Sequence, residues 1–199
     1  MTTIHLVRHG QKESHAGDPG LTQIGIRQAQ QTGKYLSQFP ITKIVSSPFK
    51  RTIRTAEEIA QKIGLSYDTN PALVERMNWN DESISRDEFI AEWIASTHNR
   101  DYQPKWGDSS RTTGERITNL IISLQSSKPT HIVLVTHGGA IADYLRNHFA
   151  DQDLTALHKQ YPEGVDFQLL NCSVTRVAYD NILHLELANF VEHLGDISE

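Results

Sequence analysis

The sequence predicts an α/β protein, a three-layer α/β/α sandwich around a mixed but mostly parallel sheet. Three observations carry this. Ile4-His5-Leu6-Val7 is a short, largely apolar run that gives way at once to Arg8-His9-Gly10, as a buried strand ending in a turn does. His131-Ile132-Val133-Leu134-Val135-Thr136 is nearly continuous in β-branched and apolar residues, as a central parallel strand should be, and ends in His137-Gly138-Gly139. The stretches between carry apolar residues at helical spacing. In open α/β sheets, ligands bind beyond the carboxyl ends of strands. Two strands that each end in a histidine therefore point to one crevice.

A chain of 199 residues fits one domain, here 1–199, with ample length to bury a core. The net charge of -5 argues against a nucleic-acid partner, since the densest basic cluster, Lys50-Arg51-Thr52-Ile53-Arg54, is short. Residues 1–7 are too few for a signal peptide and no apolar run approaches a membrane span, so no membrane contact is expected. Cys172 is the single cysteine, which rules out an intrachain disulfide and fits a cytoplasmic location. It lies where a strand begins, as a small hydrophobe would. The ten histidines show no zinc-site spacing, so no metal is expected.

Lys12 to Gly20 is polar and turn-rich and should lie over the site. Thr22 is a good N-cap for a helix whose apolar face is Ile26, Ala29, Gly33 and Leu36, with Leu21 stapling onto Ile26. That helix should stop near Phe39-Pro40. Lys43 to Ser46 reads as a strand. Ser47 reads as the N-cap of a second helix, with Pro48 at its first position and Ile53, Ala56, Ala60 and Ile63 as its buried stripe. Arg51 then falls in the first turn, where a cation is unfavourable by a few tenths of a kcal/mol up to about 1. An anion between Arg51 and the helix end would relieve it. Leu65 to Thr69 reads as a short edge strand, and Pro71 to Glu75 brings out one carboxylate. The α/β rhythm then breaks from Arg76 to Arg111. This stretch holds Trp79, Trp93 and Trp106 and one helix from Arg86 to Thr97, and it reads as a lid-like insertion whose aromatics pack on the core. Thr112 to Glu115 reads as a capping box, which makes Glu115 a cap rather than a catalyst. A helix follows from Ala140 to about Phe149. Ser173 to Tyr179 and Ile182 to Ala188 read as two antiparallel strands joined at Asp180-Asn181.

In this order, Arg8-His9-Gly10, Ser47-Pro48-Phe49-Lys50-Arg51 through Thr55-Ala56, Glu75 and His137-Gly138 resemble the histidine phosphatase superfamily, on its phosphatase branch. Leu21-Thr22-Gln23-Ile24-Gly25 looks like the family's Leu-Thr-x-x-Gly. Asn171 to Val174 and Asn189 through His193-Leu194 look similar too. The resemblance implies a phosphoglycerate-mutase-like fold with His9 as phosphorylated nucleophile. It also implies a phosphate pocket of Arg8, Arg51, His137 and Gly138, with Glu75 as proton donor. The expected activity is hydrolysis of phosphomonoesters through a phosphohistidine, without a cofactor. The alternatives are a phosphoglycerate mutase-type phosphoryl transferase and a non-catalytic phosphate-binding module. The substrate would be a phosphorylated small molecule or a phosphoprotein, and a homodimer is left open.

The residues support that chemistry independently. A phosphoryl group in flight spreads charge over its oxygens, so two arginines and a histidine can stabilise it by position alone. His9 must attack through an unprotonated nitrogen, so its other nitrogen needs a fixed acceptor, which the sequence does not identify. Several positions depart from the family pattern. Lys12 replaces a small hydroxyl residue, the loop to Leu21 is short, and Arg54 stands for a frequent Gln. Glu75 is followed by Arg76-Met77-Asn78-Trp79-Asn80 rather than by glycines and Trp-Glu-Gly. The Glu-Arg-His-Tyr-Gly segment of glycolytic mutases has no counterpart. Asp81 and Glu82 are rival carboxylates to Glu75.

Overall fold

A computed structural model describes residues 1–80, 83–126, 128, 130–157, 169–180 and 182–197. Its strands are β1 (Thr2–Arg8), β2 (Ile41–Ser46), β3 (Asp68–Thr69), β4 (Thr130–Thr136), β5 (Val174–Tyr179) and β6 (Leu183–Phe190). Its helices are α1 (Gln23–Leu36), α2 (Lys50–Ile63), α3 (Arg86–His98), α4 (Ser110–Ser123) and α5 (Gly138–His148). The strands form one mixed sheet in the order β3-β2-β4-β1-β5-β6. β3, β2, β4 and β1 run parallel, and β5 is antiparallel to both β1 and β6. The expected α/β architecture is present, and the short strand after Leu65 lies at the sheet edge as anticipated.

The continuous apolar runs have a direct cause. Alternate residues of a strand face opposite sides, and here both sides are covered. Ile4, Leu6, Ile132 and Leu134 pack with Ile117, Ile121, Ile141 and Leu145 of α4 and α5. Val7, Val133 and Val135 pack on the other side with Leu36, Ala56 and Ile59 of α1 and α2. Parallel register does the rest. Arg8 pairs with Thr136 and Ser46 with Val135, so β1, β2 and β4 end together, and His9, Ser47 and His137 follow at the same edge.

The caps of α2 and α4 differ from the sequence reading. Thr22 does cap α1, its hydroxyl accepting from Gly25 N at 3.0 Å. Ser47, however, is not the cap of α2, which begins at Lys50 with Phe49 at the N-cap and no side-chain cap of its own. The cap comes from elsewhere in the chain: both carboxylate oxygens of Asp18 accept from Lys50 N at 3.1 Å. α4 begins at Ser110, capped by Ser109 accepting from Thr112 N at 3.2 Å, which leaves Glu115 exposed and capping nothing. Cys172 precedes its strand in a turn with φ +54°, fully buried against Ala29 and Leu194. Of the turn between the last two strands, Asn181 lies outside the described residues, as do Asp81 and Glu82.

Gly10 has a packing reason that the sequence did not disclose. A Cβ there would lie 2.5 Å from the carbonyl oxygen of Gly25, so α1 rests directly on the turn after β1. Any side chain at Gly10 would push that helix off.

Candidate active site

Arg8, His9, Lys12, Arg51, Glu75 and Gly138 line one cavity of about 400 Å³ at the carboxyl ends of the parallel strands. His137 stands directly beside it, fully buried, with its ring centroid 5.3 Å from that of His9. The structure therefore brings together Arg8, His9, Arg51, Glu75, His137 and Gly138, the residues the resemblance implied.

His9 follows β1 and is tied down by backbone: its N–H donates to Thr136 O at 3.0 Å, and its carbonyl accepts from Cys172 N at 3.2 Å. Its ring Nδ1 lies 2.8 Å from Gly10 O. A carbonyl can only accept, so Nδ1 carries the hydrogen and Nε2 carries the lone pair. This is the fixed acceptor the sequence left unidentified. Burial first, then the cations Arg8 and Arg51, hold the His9 pKa well below the ordinary 6.5. His137 is lowered in the same way, by burial first and then by Arg51 and His9. Both rings are neutral at pH 7. His137 Nε2 is 2.9 Å from Ser47 Oγ, while its Nδ1 is buried without a hydrogen-bond partner among the described residues. With Ser47 donating to Nε2, Nδ1 carries the hydrogen.

Arg51 occupies the first turn of α2, and the anion expected to relieve it is supplied by the protein itself. Asp18 Oδ1 is 3.4 Å from Arg51 Nη1, in addition to capping the helix. Arg51 Nη2 donates to Asn78 Oδ1 at 3.1 Å, and Asn78 Nδ2 donates to Gly17 O at 2.8 Å. The 12–20 loop, the 76–80 segment and α2 are thus joined at one side of the cavity. Arg8 donates to the carbonyl of Leu169.

Glu75 is half-buried rather than an exposed loop residue. Oε1 accepts from Arg76 N at 2.9 Å and Oε2 from Gly139 N at 3.2 Å, in the first turn of α5. The Arg76 guanidinium does not pair with it but with Asp143, at 3.2 Å. Gly139 matters more than its neighbour Gly138. A Cβ on Gly139 would lie 2.6 Å from Trp93 Cη2 and 2.7 Å from Glu75 Oε1. Gly139→Ala should destabilise the fold by about 1–3 kcal/mol, the usual cost of overpacking, and a thermal melt would read this as a drop of several degrees. An unchanged melting temperature would mean that the indole yields freely.

The tryptophans also depart from expectation. Trp79 and Trp93 line the cavity along with Phe89 and Met77, whereas Trp106 does not. Packing on the core was the wrong reading for the first two. Sequence reasoning also missed Asp18, Ser47, Asn78 and Gly139. Asp18 looked like a turn residue, Ser47 like a cap, and Asn78 carried no local signal.

Three buried histidines and one half-buried one set an acid limit on stability. His5 is lowered to about 3 by burial, then by His131 and Arg176, and His193 to about 4 by burial. Together with His9 and His137, these side chains bind protons more readily unfolded than folded. Stability is therefore complete above about pH 6.5 and falls as pH drops below it. Asp143, raised to about 6 by burial, works the other way between pH 6 and 4, but it is one group against four. The urea midpoint should be lower at pH 5 than at pH 7.5. A midpoint that is flat across this range would contradict the neutral-histidine assignment.

The chain belongs to the histidine phosphatase superfamily (branch 1), whose family model matches residues 4–184. A relative in Escherichia fergusonii, named probable phosphoglycerate mutase GpmB, is 31% identical over 214 residues, covering 100% of this chain and 94% of that protein. Among solved structures, Bacillus stearothermophilus YhfR superposes with a TM-score of 0.75 at 22% identity, over 98% of this chain and 100% of the other. A mycobacterial glucosyl-3-phosphoglycerate phosphatase with inorganic phosphate gives a TM-score of 0.73 at 22% identity, over 96% and 98%. At that identity the likeness establishes the phosphoglycerate-mutase-like fold, which the sequence predicted. No helix among the described residues is long and apolar enough to cross a membrane.

Proposed function

We propose that the protein is a phosphomonoester hydrolase acting through a phosphohistidine on His9. The observation that carries this reading is the state of His9: neutral, with Nδ1 pinned on Gly10 O, and lining a cavity that also holds Arg8, Arg51 and Lys12. In the first step Nε2 bonds to phosphorus and the ester P–O bond breaks. The alcohol oxygen leaves with that electron pair and takes a proton from Glu75. In the second step Glu75 accepts a proton from water as the water oxygen bonds to phosphorus. The N–P bond then breaks and its pair returns to Nε2. Arg8, Arg51 and His137 Nδ1–H stabilise the equatorial oxygens throughout, with Gly138 at the same wall.

Because these groups already supply the positive charge that a metal would bring, exhaustive chelation should leave the rate unchanged. A loss restored by one divalent ion would point to another chemistry. The test of the function itself is a rapid-quench time course with a chromogenic phosphomonoester. A burst of one alcohol per chain, followed by steady release of phosphate, supports the hydrolase, whereas no turnover of any ester would leave a binding module.

A mutase reading is favoured by one observation, the name carried by relatives at about 30% identity. It predicts interconversion of phosphoglycerates with little phosphate release. Hydrolysis outpacing isomerisation would decide for the phosphatase. Exposed Arg86, Ile90 and His15 at the cavity wall leave it open to water, which suits hydrolysis.

A further inference from the structure

We infer that Arg76 and Asp143 are a positioning pair for Glu75, coupling the 76–111 segment to protonation of the leaving group. The inference rests on the assignment of Glu75 as the acid. Its geometric basis is that both carboxylate oxygens of Glu75 are held by backbone amides from different parts of the chain. One is Arg76 N, where the 76–111 segment begins, and the other is Gly139 N, in the first turn of α5. The orientation of the carboxylate depends on how these two amides stand to each other. The Arg76 side chain fixes that relation. It crosses to Asp143, one helical turn beyond Gly139, with Nη1 at 3.2 Å from Oδ1. Asp143 also accepts from Ser110 Oγ at 2.6 Å, which brings in α4. Arg76 Nη2 donates to Thr97 Oγ1 at 2.8 Å, and the guanidinium lies 4.2 Å over the Trp93 ring, which brings in α3. One residue thus gives Glu75 a backbone donor and, through its side chain, anchors the helix that gives the other.

Stability alone does not account for this pair. Arg76 and Asp143 are each 2% exposed, and a buried ion pair is often no better for stability than apolar residues of the same shape. Burial raises the Asp143 carboxyl to about 6 in spite of Arg76 and Ser110, so the pair is only partly compensated. Asp143 Oδ2 and Arg76 Nε have no hydrogen-bond partner among the described residues. What the pair does supply is direction.

The experiment compares burst phosphorylation of His9 by an alkyl phosphate and by a nitrophenyl phosphate, in wild type, Glu75→Gln, Arg76→Met, Asp143→Asn and the double variant Arg76→Met/Asp143→Leu. An alkyl leaving group needs the acid, and a nitrophenolate hardly does. If the pair positions Glu75, Arg76→Met and Asp143→Asn lose roughly 10–100-fold with the alkyl ester and under about 3-fold with the aryl ester. The double variant, with its apolar replacement, regains thermal stability without regaining the alkyl rate. Equal losses for both esters, or recovery of the alkyl rate together with stability, would make the pair merely structural. Should Arg76→Met fail to fold, the near-isosteric Asp143→Asn decides by the same ratio. A selective loss in Glu75→Gln without one in the pair variants overturns this inference alone. An unselective Glu75→Gln overturns the assignment of Glu75, and the inference with it.

Discussion

Replacing His9 with alanine is expected to abolish turnover, with a loss of at least about 10⁴ in kcat, because the nucleophile itself is gone. Wild-type enzyme quenched in mid-reaction should carry one acid-labile, base-stable phosphate, mapped to His9. Two other nucleophiles are conceivable on residue type, and the structure argues against both. The Cys172 thiol is fully buried and pushed up to about 12, so it holds its proton and meets no substrate. Ser47 has a histidine partner at 2.9 Å, the usual arrangement for activating a hydroxyl. Yet its hydroxyl is taken up by the His137 ring, which is held neutral by burial and by Arg51, and no contact among the described residues carries Ser47 towards the cavity beyond that ring. Phosphate found on Ser47 or Cys172, or an active His9→Ala enzyme, would reject the mechanism.

For Glu75→Gln the expected result is a selective loss. First-step phosphorylation by an alkyl phosphate should fall by ~10²–10⁴, the range for a positioned general acid, while a nitrophenyl ester suffers much less. Some loss with both esters is built into the substitution. Glu75 accepts two backbone hydrogen bonds, and an amide can accept only one of them, leaving its NH₂ facing the other N–H. The informative quantity is therefore the ratio between esters and not either rate. Small and equal losses would move the acid to Asp81 or Glu82.

The parts of the molecule readable without coordinates were those whose cause is local or periodic. Buried parallel strands must be apolar on both faces, so Ile4 to Val7 and His131 to Thr136 were recognisable as the sheet centre. The Thr22 cap was legible because its partner, Gly25 N, is three residues away. Where the partner is distant, the reading slipped. Ser47 has the composition of a cap and Pro48 that of a first helical residue, but the cap of α2 comes from Asp18, thirty-two residues earlier. Ser47 is thereby free to hold His137, ninety residues away. Glu115 failed as a cap because α4 starts earlier, at Ser110, after Ser109.

The candidate site divides in the same way. By itself the sequence pointed to which groups meet: strand ends and one helix start deliver Arg8, His9, His137 and Arg51 to the same edge of a parallel sheet, while Glu75 came with the family resemblance. Only the tertiary structure decided their state. The protonated nitrogen of His9 follows from the Gly10 carbonyl that its ring reaches. The anion beside Arg51 is Asp18, the brace behind Glu75 is the Arg76–Asp143 pair, and Trp79 and Trp93 are among the residues that line the cavity. Backbone periodicity fixes where a side chain starts. Its charge, tautomer and partner depend on burial and on residues brought close by folding, and these leave no trace in local spacing.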